Sequence, residues 1–285
     1  LTRVLALSHV LHIVTGNRHA FEDTSLLFKG LIIGLCFFCS HTMAQESVTL
    51  QLKWTHQFQF AGYYMAKQKG FYNDVGLDVT IKQANPMKPD TFGPVASGEA
   101  QFGVGHSGIL QQRINGQPLV AMAALLQFSP YCWMVKDTSD IFHPRDFVNK
   151  RITAVSLKDS TELLVMLKRS GVGVGNLKVY DGENPAQAWI ENKLDAMQVY
   201  VTTEPYYMTQ QGVAHRLVCP QRYGMDVYSD ILFTSENMLK KNPQTVEKFY
   251  QASLKGWRYA MMNMDEAIAV TQQNYAPSKS FHQLA

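Results

Sequence analysis

The chain has 285 residues, 46% hydrophobic and only 17% charged, a balance that fills a folded core and excludes a disordered chain. Its net charge is +3 and no basic run exceeds a few residues, which excludes a nucleic-acid footprint. The length allows one or two domains, and the 15 Phe and 13 Tyr suit either an ordinary core or a site that encloses a small molecule.

Residues 26–44 read as a secretory signal peptide. Lys29 precedes an apolar run, GLIIGLCFFC, which exits through small residues to Ala44. The run is too short for a membrane span, which needs roughly 20 apolar residues. Residues 1–25 carry no periodic pattern and are read as a non-native or disordered extension upstream of that leader. Cys36 and Cys39 form a CxxC, but inside the apolar run, so no redox role is assigned to them. Leu35 and Phe38, which precede them, are too large for a lipid-attachment site. Export places the rest of the chain in an oxidising compartment with two cysteines, Cys132 and Cys219, and nearly balanced charge.

Residues 48–53 alternate as a strand and run into a crowded turn, WTHQFQFAGYY. A helix over 61–70 follows, closed by Gly70. Strands are predicted at 77–82, 101–105 and 119–127, separated by helices at 92–97 and 109–115. This β-α-β alternation argues an α/β sheet. Phe128-Ser129-Pro130 interrupts the last strand, and a Pro there marks a crossover rather than one long strand. A second unit follows, with strands at 131–136, 151–156, 177–180, 196–201 and 216–219. Its helices are predicted over 159–169, 185–193 and 205–211. Pro220 breaks the pattern again. A strand at 231–234 then leads to helices at 235–241, 243–263 and 265–275.

The chain therefore makes a first lobe, leaves it near residue 129, builds a second and returns near 220. The expected organisation is lobe 1 over 46–129 plus 220–285, open to truncation at its C-terminal end, and lobe 2 over 130–219. Two α/β lobes joined by two crossings describe a hinged binding protein with its ligand between the lobes.

The segments KWTHQFQFAGYYMAKQKGFYNDVGLDVTI (53–81), SGEAQFGVGHSGILQQRINGQPLVAMAALLQFSP (97–130), VTTEPYYMTQQG (201–212) and YGMDVYSDILFTSE (223–236) carry a family resemblance. Together they resemble periplasmic solute-binding proteins of the alkanesulfonate, taurine, nitrate and thiamine-pyrimidine-precursor type, the SsuA/THI5-like group. The resemblance implies a type II periplasmic-binding-protein-like fold with a ligand cleft. It is nearest to members with a Trp-x-His-Gln-like opening, which occur both as free binding proteins and as outer sensor portions of membrane signalling proteins. Because crossing strands lie side by side in hinged binders, Cys132 and Cys219 are placed either to form a disulfide or to remain as two buried thiols.

Four constellations are candidate cleft residues. In the opening turn, Trp54 and Tyr63 offer faces for stacking, His56 and Gln57 offer hydrogen bonds, and Phe60 joins them; Phe58 and Tyr64 are assigned to the core. At Gly105-His106-Ser107-Gly108, backbone amides can hold an anion or a carbonyl oxygen, and the Ser107 hydroxyl can cap the helix or touch ligand. Ser160, Thr161 and Glu162 begin a second-lobe helix as a capping-box variant or as ligand contacts. Glu204, before Pro205, is either a cleft acid or a solvated helix-start acid. Asp226, Tyr228 and Asp230 follow the second crossing. Gln127, ending the strand before the first crossing, and Tyr200, in the strand before Glu204, complete the set. Acids on this side favour an amine or nitrogen heterocycle over sulfonate or nitrate.

The expected function is extracytoplasmic binding of a small molecule such as a thiamine-pyrimidine precursor, for delivery to the permease of an ABC importer. The alternative is the input domain of a membrane histidine kinase or diguanylate cyclase, the fused signalling module then being the partner. Catalysis is the other rival. A eukaryotic branch of the fold makes the thiamine pyrimidine with a lysine and a histidine in the segment matching residues 102–112. Here that segment, FGVGHSGILQQ, has His106 and no lysine, and the branch's cysteine-rich cluster is missing. The nine histidines show no HxH or HExxH spacing. The expectation is a periplasmic, non-catalytic protein with no cofactor, no metal and no nucleic-acid partner.

Overall fold

A computed structural model describes residues 45–285 except positions 87, 154–160, 181, 183, 281–283 and 285. The expected leader over 26–44 and the extension before it lie outside the described residues. In chain order the strands are β1 (Glu46–Gln51), β2 (Leu77–Lys82), β3 (Phe102–Gly105), β4 (Leu119–Leu126), β5 (Tyr131–Lys136), β6 (Arg151–Ile152), β7 (Lys178–Val179), β8 (Ala196–Tyr200), β9 (His215–Val218) and β10 (Ser229–Ser235). The helices are α1 (Ala61–Gln68), α2 (Phe92–Ser97), α3 (Ile109–Ile114), α4 (Thr161–Arg169), α5 (Pro185–Ile190), α6 (Glu204–Gln210), α7 (Glu236–Lys241), α8 (Pro243–Met262) and α9 (Met264–Asn274).

Two five-stranded sheets form, in the orders β2-β1-β3-β10-β4 and β7-β6-β8-β5-β9. In the first, β1 is parallel to β2 and β3, and β10 runs antiparallel to both β3 and β4. In the second, β6 is parallel to β7 and β8, and β5 runs antiparallel to both β8 and β9. The two sheets therefore repeat one topology. In each, the antiparallel strand is the one that has just arrived from the other lobe. The carboxyl ends of β1, β3 and β8 point into the cleft, where open α/β sheets bind ligands.

Hydrophobic patterning explains the elements. The β1 stretch buries Val48, Leu50 and Leu52 against α1, α8 and β3, in a core that holds Phe102, Phe249 and Tyr72. α1 and α8 meet at two glycines. A methyl on Gly256 would sit 2.2 Å from the Gly62 carbonyl oxygen, and one on Gly62 would fall 2.1 Å from the Trp257 ring. This close approach fixes α1, and so the turn before it. The second lobe is built around Trp133, Phe147, Leu163 and Val218 on one side of its sheet and Trp189, Met134 and Met208 in a separate cluster. The predicted helix over 185–193 ends early, at Ile190. Asn192 adopts a left-handed φ of 61° and Lys193 N–H returns to the Ala188 carbonyl at 2.8 Å, a C-terminal cap that carries no glycine signal. Among the described residues no helix is long and apolar enough to cross a membrane.

Candidate functional site

A cavity of about 420 Å³ lies between the lobes, within the usual size of a small-molecule site. Lobe 1 contributes Lys53 and Trp54 from the bend just after β1, Gln57 and Gln59 from the following turn, the 88–92 loop, and His106 after β3. Lobe 2 contributes Tyr131 at the start of β5, Gln198 and Tyr200 from β8, and Thr203 and Glu204 at the start of α6. Trp54, Tyr131 and Tyr200 supply aromatic surface, and the Tyr131 and Tyr200 rings meet edge to face at 5.4 Å.

Lys53 is the centre of the polar wall. Its side chain is almost fully buried and forms an ion pair with Asp230, while its Nζ lies 5.0 Å from the Tyr200 ring centroid and 5.4 Å from that of Tyr131. Burial pulls the lysine's pKa down, but the charge and hydrogen bond of Asp230, with the nearby Tyr131 and Glu162, together outweigh it and the net shift is upward, so Lys53 stays an ammonium. Asp230 also accepts hydrogen bonds from Tyr200 OH at 3.1 Å and Gln59 Nε2 at 3.5 Å. Burial, then the Asp230 charge, pushes the Tyr200 phenol well above its ordinary range, so it remains a neutral donor.

Two further groups set the chemistry. The Glu204 carboxylate accepts from the Tyr200 backbone N–H at 2.7 Å, yet burial still raises its pKa. Glu204 lines the cavity beside Tyr200 and Thr203. Burial, and then the Lys53 charge, lower the His106 pKa to about 3, so His106 is neutral at ordinary pH. Its Nδ1 accepts from Gly108 N–H at 3.1 Å, which leaves the proton on Nε2.

The candidate residues separate clearly. Trp54, His106, Tyr200 and Glu204 line the cavity, and Asp230 stands directly behind Lys53. Phe60 and Tyr63 do not line it. Both have no exposed surface, because they lie on the inner side of the turn and of α1; Tyr63 packs edge-on against Trp257 at 5.6 Å. His56 turns to Tyr64, with Nδ1 2.9 Å from the phenol oxygen, and the Tyr64 ring stacks on Tyr275 at 3.8 Å. Asp226, Tyr228 and Gln127 are exposed beside the crossings and line none of the cavity, since the chain there faces outward. Thr161 faces a different recess, between α3 and α4. Ser160 lies outside the described residues.

Ser107 and Glu162 meet each other rather than the cavity. The Ser107 hydroxyl donates to Glu162 Oε2 at 2.8 Å and the Ser129 hydroxyl to Oε1 at 2.7 Å, which ties α4 of lobe 2 to lobe 1 and to the first crossing. At the crossings, Cys132 and Cys219 form a disulfide, and Gln221 Nε2 donates to the Ser129 carbonyl at 2.7 Å. Residues that sequence reasoning did not place at the site include Lys53, Gln59, Tyr131, Gln198 and the 88–92 loop. Lys53 was the most detectable: a cation closing the alternating 48–53 run, just past the carboxyl end of β1, where such sheets bind ligands. Among the described residues no cluster of His, Cys, Asp and Glu suited to a metal ion occurs.

The fold is that of periplasmic solute-binding proteins. The alkanesulfonate-binding protein SsuA from Xanthomonas axonopodis pv. citri, solved bound to MOPS, superposes with a TM-score of 0.63 at 16% identity over 85% of this chain and 83% of that one. The chain belongs to the NMT1/THI5-like family, whose model matches residues 57–267. It is 26% identical over 236 residues to the riboflavin-binding protein RibY of Chloroflexus aurantiacus, a match over 80% of this chain that spans 66% of that protein's length. It is 24% identical over 263 residues to the formylaminopyrimidine-binding protein of Halalkalibacterium halodurans, over 90% of this chain and 79% of that protein.

Proposed function

We propose that the protein is an extracytoplasmic, non-catalytic binder of a small, planar, uncharged nitrogen heterocycle, a thiamine-type aminopyrimidine or a related ring, which it delivers to an ABC importer. The observation that carries this reading is the pairing of aromatic faces with Glu204. Trp54, Tyr131 and Tyr200 can enclose a ring, and the buried Glu204 carboxylate can accept from a ring or exocyclic N–H. Gln57, Gln59 and Gln198 supply amide groups for the remaining ring edge. The names of RibY and of the formylaminopyrimidine-binding protein support the same ligand class.

Lys53 argues against the enzyme alternative. A lysine that forms imines must lose its proton, and the Asp230 carboxylate holds this one as an ammonium. A stable imine absorbance on incubation with pyridoxal phosphate would revive catalysis. The binding reading is tested by thermal shift across pyrimidines, flavins, alkylamines, alkanesulfonates and nitrate. Heterocycles are expected to stabilise, by about 2.7 kcal/mol at a concentration near 100 times Kd. A response confined to sulfonates would overturn the ligand class.

A further inference from the structure

The Lys53–Asp230 pair has a second consequence. Both side chains are almost fully buried, but Lys53 lines the cavity and Asp230 does not, so the carboxylate sits behind the ammonium. Asp230 is held there against its backbone preference, because its φ of 45° lies in the left-handed region that a side-chain-bearing residue rarely adopts. Three donors fix it in that position: Lys53, Tyr200 OH at 3.1 Å and Gln59 Nε2 at 3.5 Å. Ser229 Oγ, 3.4 Å from Lys53 Nζ, holds the ammonium from the same strand.

We propose that Asp230 determines the charge class of the ligand: by neutralising Lys53 from behind the wall, it turns a cavity built around a buried cation into one that excludes anions and selects uncharged rings. This rests on the cavity being the ligand site. A buried ammonium with no partner is costly, and an anionic ligand would be its natural partner. With Asp230 in place that demand is already met inside the protein. A sulfonate or phosphate would then lose its hydration and meet the Asp230 charge a few ångströms beyond the ammonium. The other charges around the cavity do not restore a positive field. Lys88 and Asp90 both line the cavity from the rim loop, and Lys279, which donates to Gln57 Oε1 at 3.2 Å, is offset by the charge of Glu204 on the lobe 2 side. Asp230 is therefore a specificity-determining residue that acts through Lys53 rather than by touching ligand.

The test is calorimetric titration of the full chain with ethanesulfonate, ethylammonium and a 4-aminopyrimidine. The variant Asp230→Asn keeps the shape, and Asn tolerates a left-handed backbone. It is expected to bind ethanesulfonate at least about tenfold more tightly than the wild-type protein does. Lys53→Gln leaves the carboxylate uncompensated and is expected to gain affinity for ethylammonium instead. A folded Asp230→Asn protein with no gain for ethanesulfonate would overturn the proposal, as would wild-type protein that already binds ethanesulfonate equally well. If Asp230→Asn does not fold, Lys53→Gln decides, and no gain for ethylammonium overturns it. If the wild-type protein ignores the aminopyrimidine while Asp230→Asn gains the sulfonate, the functional reading fails and this one stands.

Discussion

Ser107 and Glu162 meet across the cleft, hydroxyl to carboxylate at 2.8 Å, and the same carboxylate takes the Ser129 hydroxyl at 2.7 Å. One acid thus joins lobe 1, lobe 2 and the first crossing, and it does so with 1% of its surface exposed. Hydrogen bonds to a buried charge contribute about 1.5–3 kcal/mol each, so this contact favours the closed arrangement. Glu162→Ala should open the lobes, raise the radius of gyration seen by small-angle scattering, and weaken ligand binding about tenfold. Glu162→Gln, which can still accept one hydroxyl, should fall between. An unchanged scattering profile for the alanine variant would mean that this contact does not hold the lobes together.

Trp54 and Tyr63 come from the same aromatic turn and should behave oppositely. Trp54 lines the cavity, so Trp54→Ala should lower affinity by at least about tenfold while leaving most of the stability. Tyr63 is fully buried against Trp257, so Tyr63→Ala should cost about 3–5 kcal/mol of stability by denaturant titration. Full affinity in Trp54→Ala would move the site elsewhere.

His106 gives the fold an acid sensitivity. Its folded pKa, about 3, lies below the ordinary value of 6.5, so the unfolded chain binds the extra proton between those two values. Its contribution is therefore fully present above pH 6.5 and is lost as pH falls toward 3. Between pH 7 and pH 5 this amounts to about 2 kcal/mol. The raised pKa of Glu204 works in the opposite direction above 4.5, because there the folded state holds the proton more tightly. Comparison with His106→Asn, whose Oδ1 can replace Nδ1 in accepting from Gly108 N–H, isolates the histidine. That variant should show a flatter dependence of unfolding free energy on pH over this range.

The disulfide joins the two crossings over a sequence separation of 87 residues. Reduction, or the Cys132→Ser and Cys219→Ser double variant, should cost about 2–5 kcal/mol in denaturant unfolding. No change in the midpoint on reduction would mean the bond does not constrain the unfolded chain.

Most of the architecture was legible because its signals are local. The alternation over β1, the Gly after α1 and the prolines at 130 and 220 marked the strands, the helix end and the crossings directly. The site was only partly legible. Trp54 and Tyr63 have the same chemistry at the sequence level, and only the close packing of α1 on α8 at Gly62 and Gly256 decides that one faces the cavity and the other the core. Lys53 reads as a solvated strand end until β10 brings Asp230 beside it from 177 positions further on. Asp226 and Asp230 are four residues apart in one acidic stretch, yet only the second turns inward, through a backbone angle no spacing rule reports.

An uncharged nitrogen heterocycle is expected to fill the cavity between Trp54 and Glu204. Calorimetric titration of the wild-type chain with a 4-amino-2-methylpyrimidine bearing a 5-hydroxymethyl group tests it most directly, with Glu204→Gln titrated alongside. Saturable binding to the wild-type protein is expected, with a loss of about tenfold or more in Glu204→Gln, since a charge-assisted hydrogen bond to the ring amine is removed. Saturable binding of ethanesulfonate with no heat from the pyrimidine would contradict it.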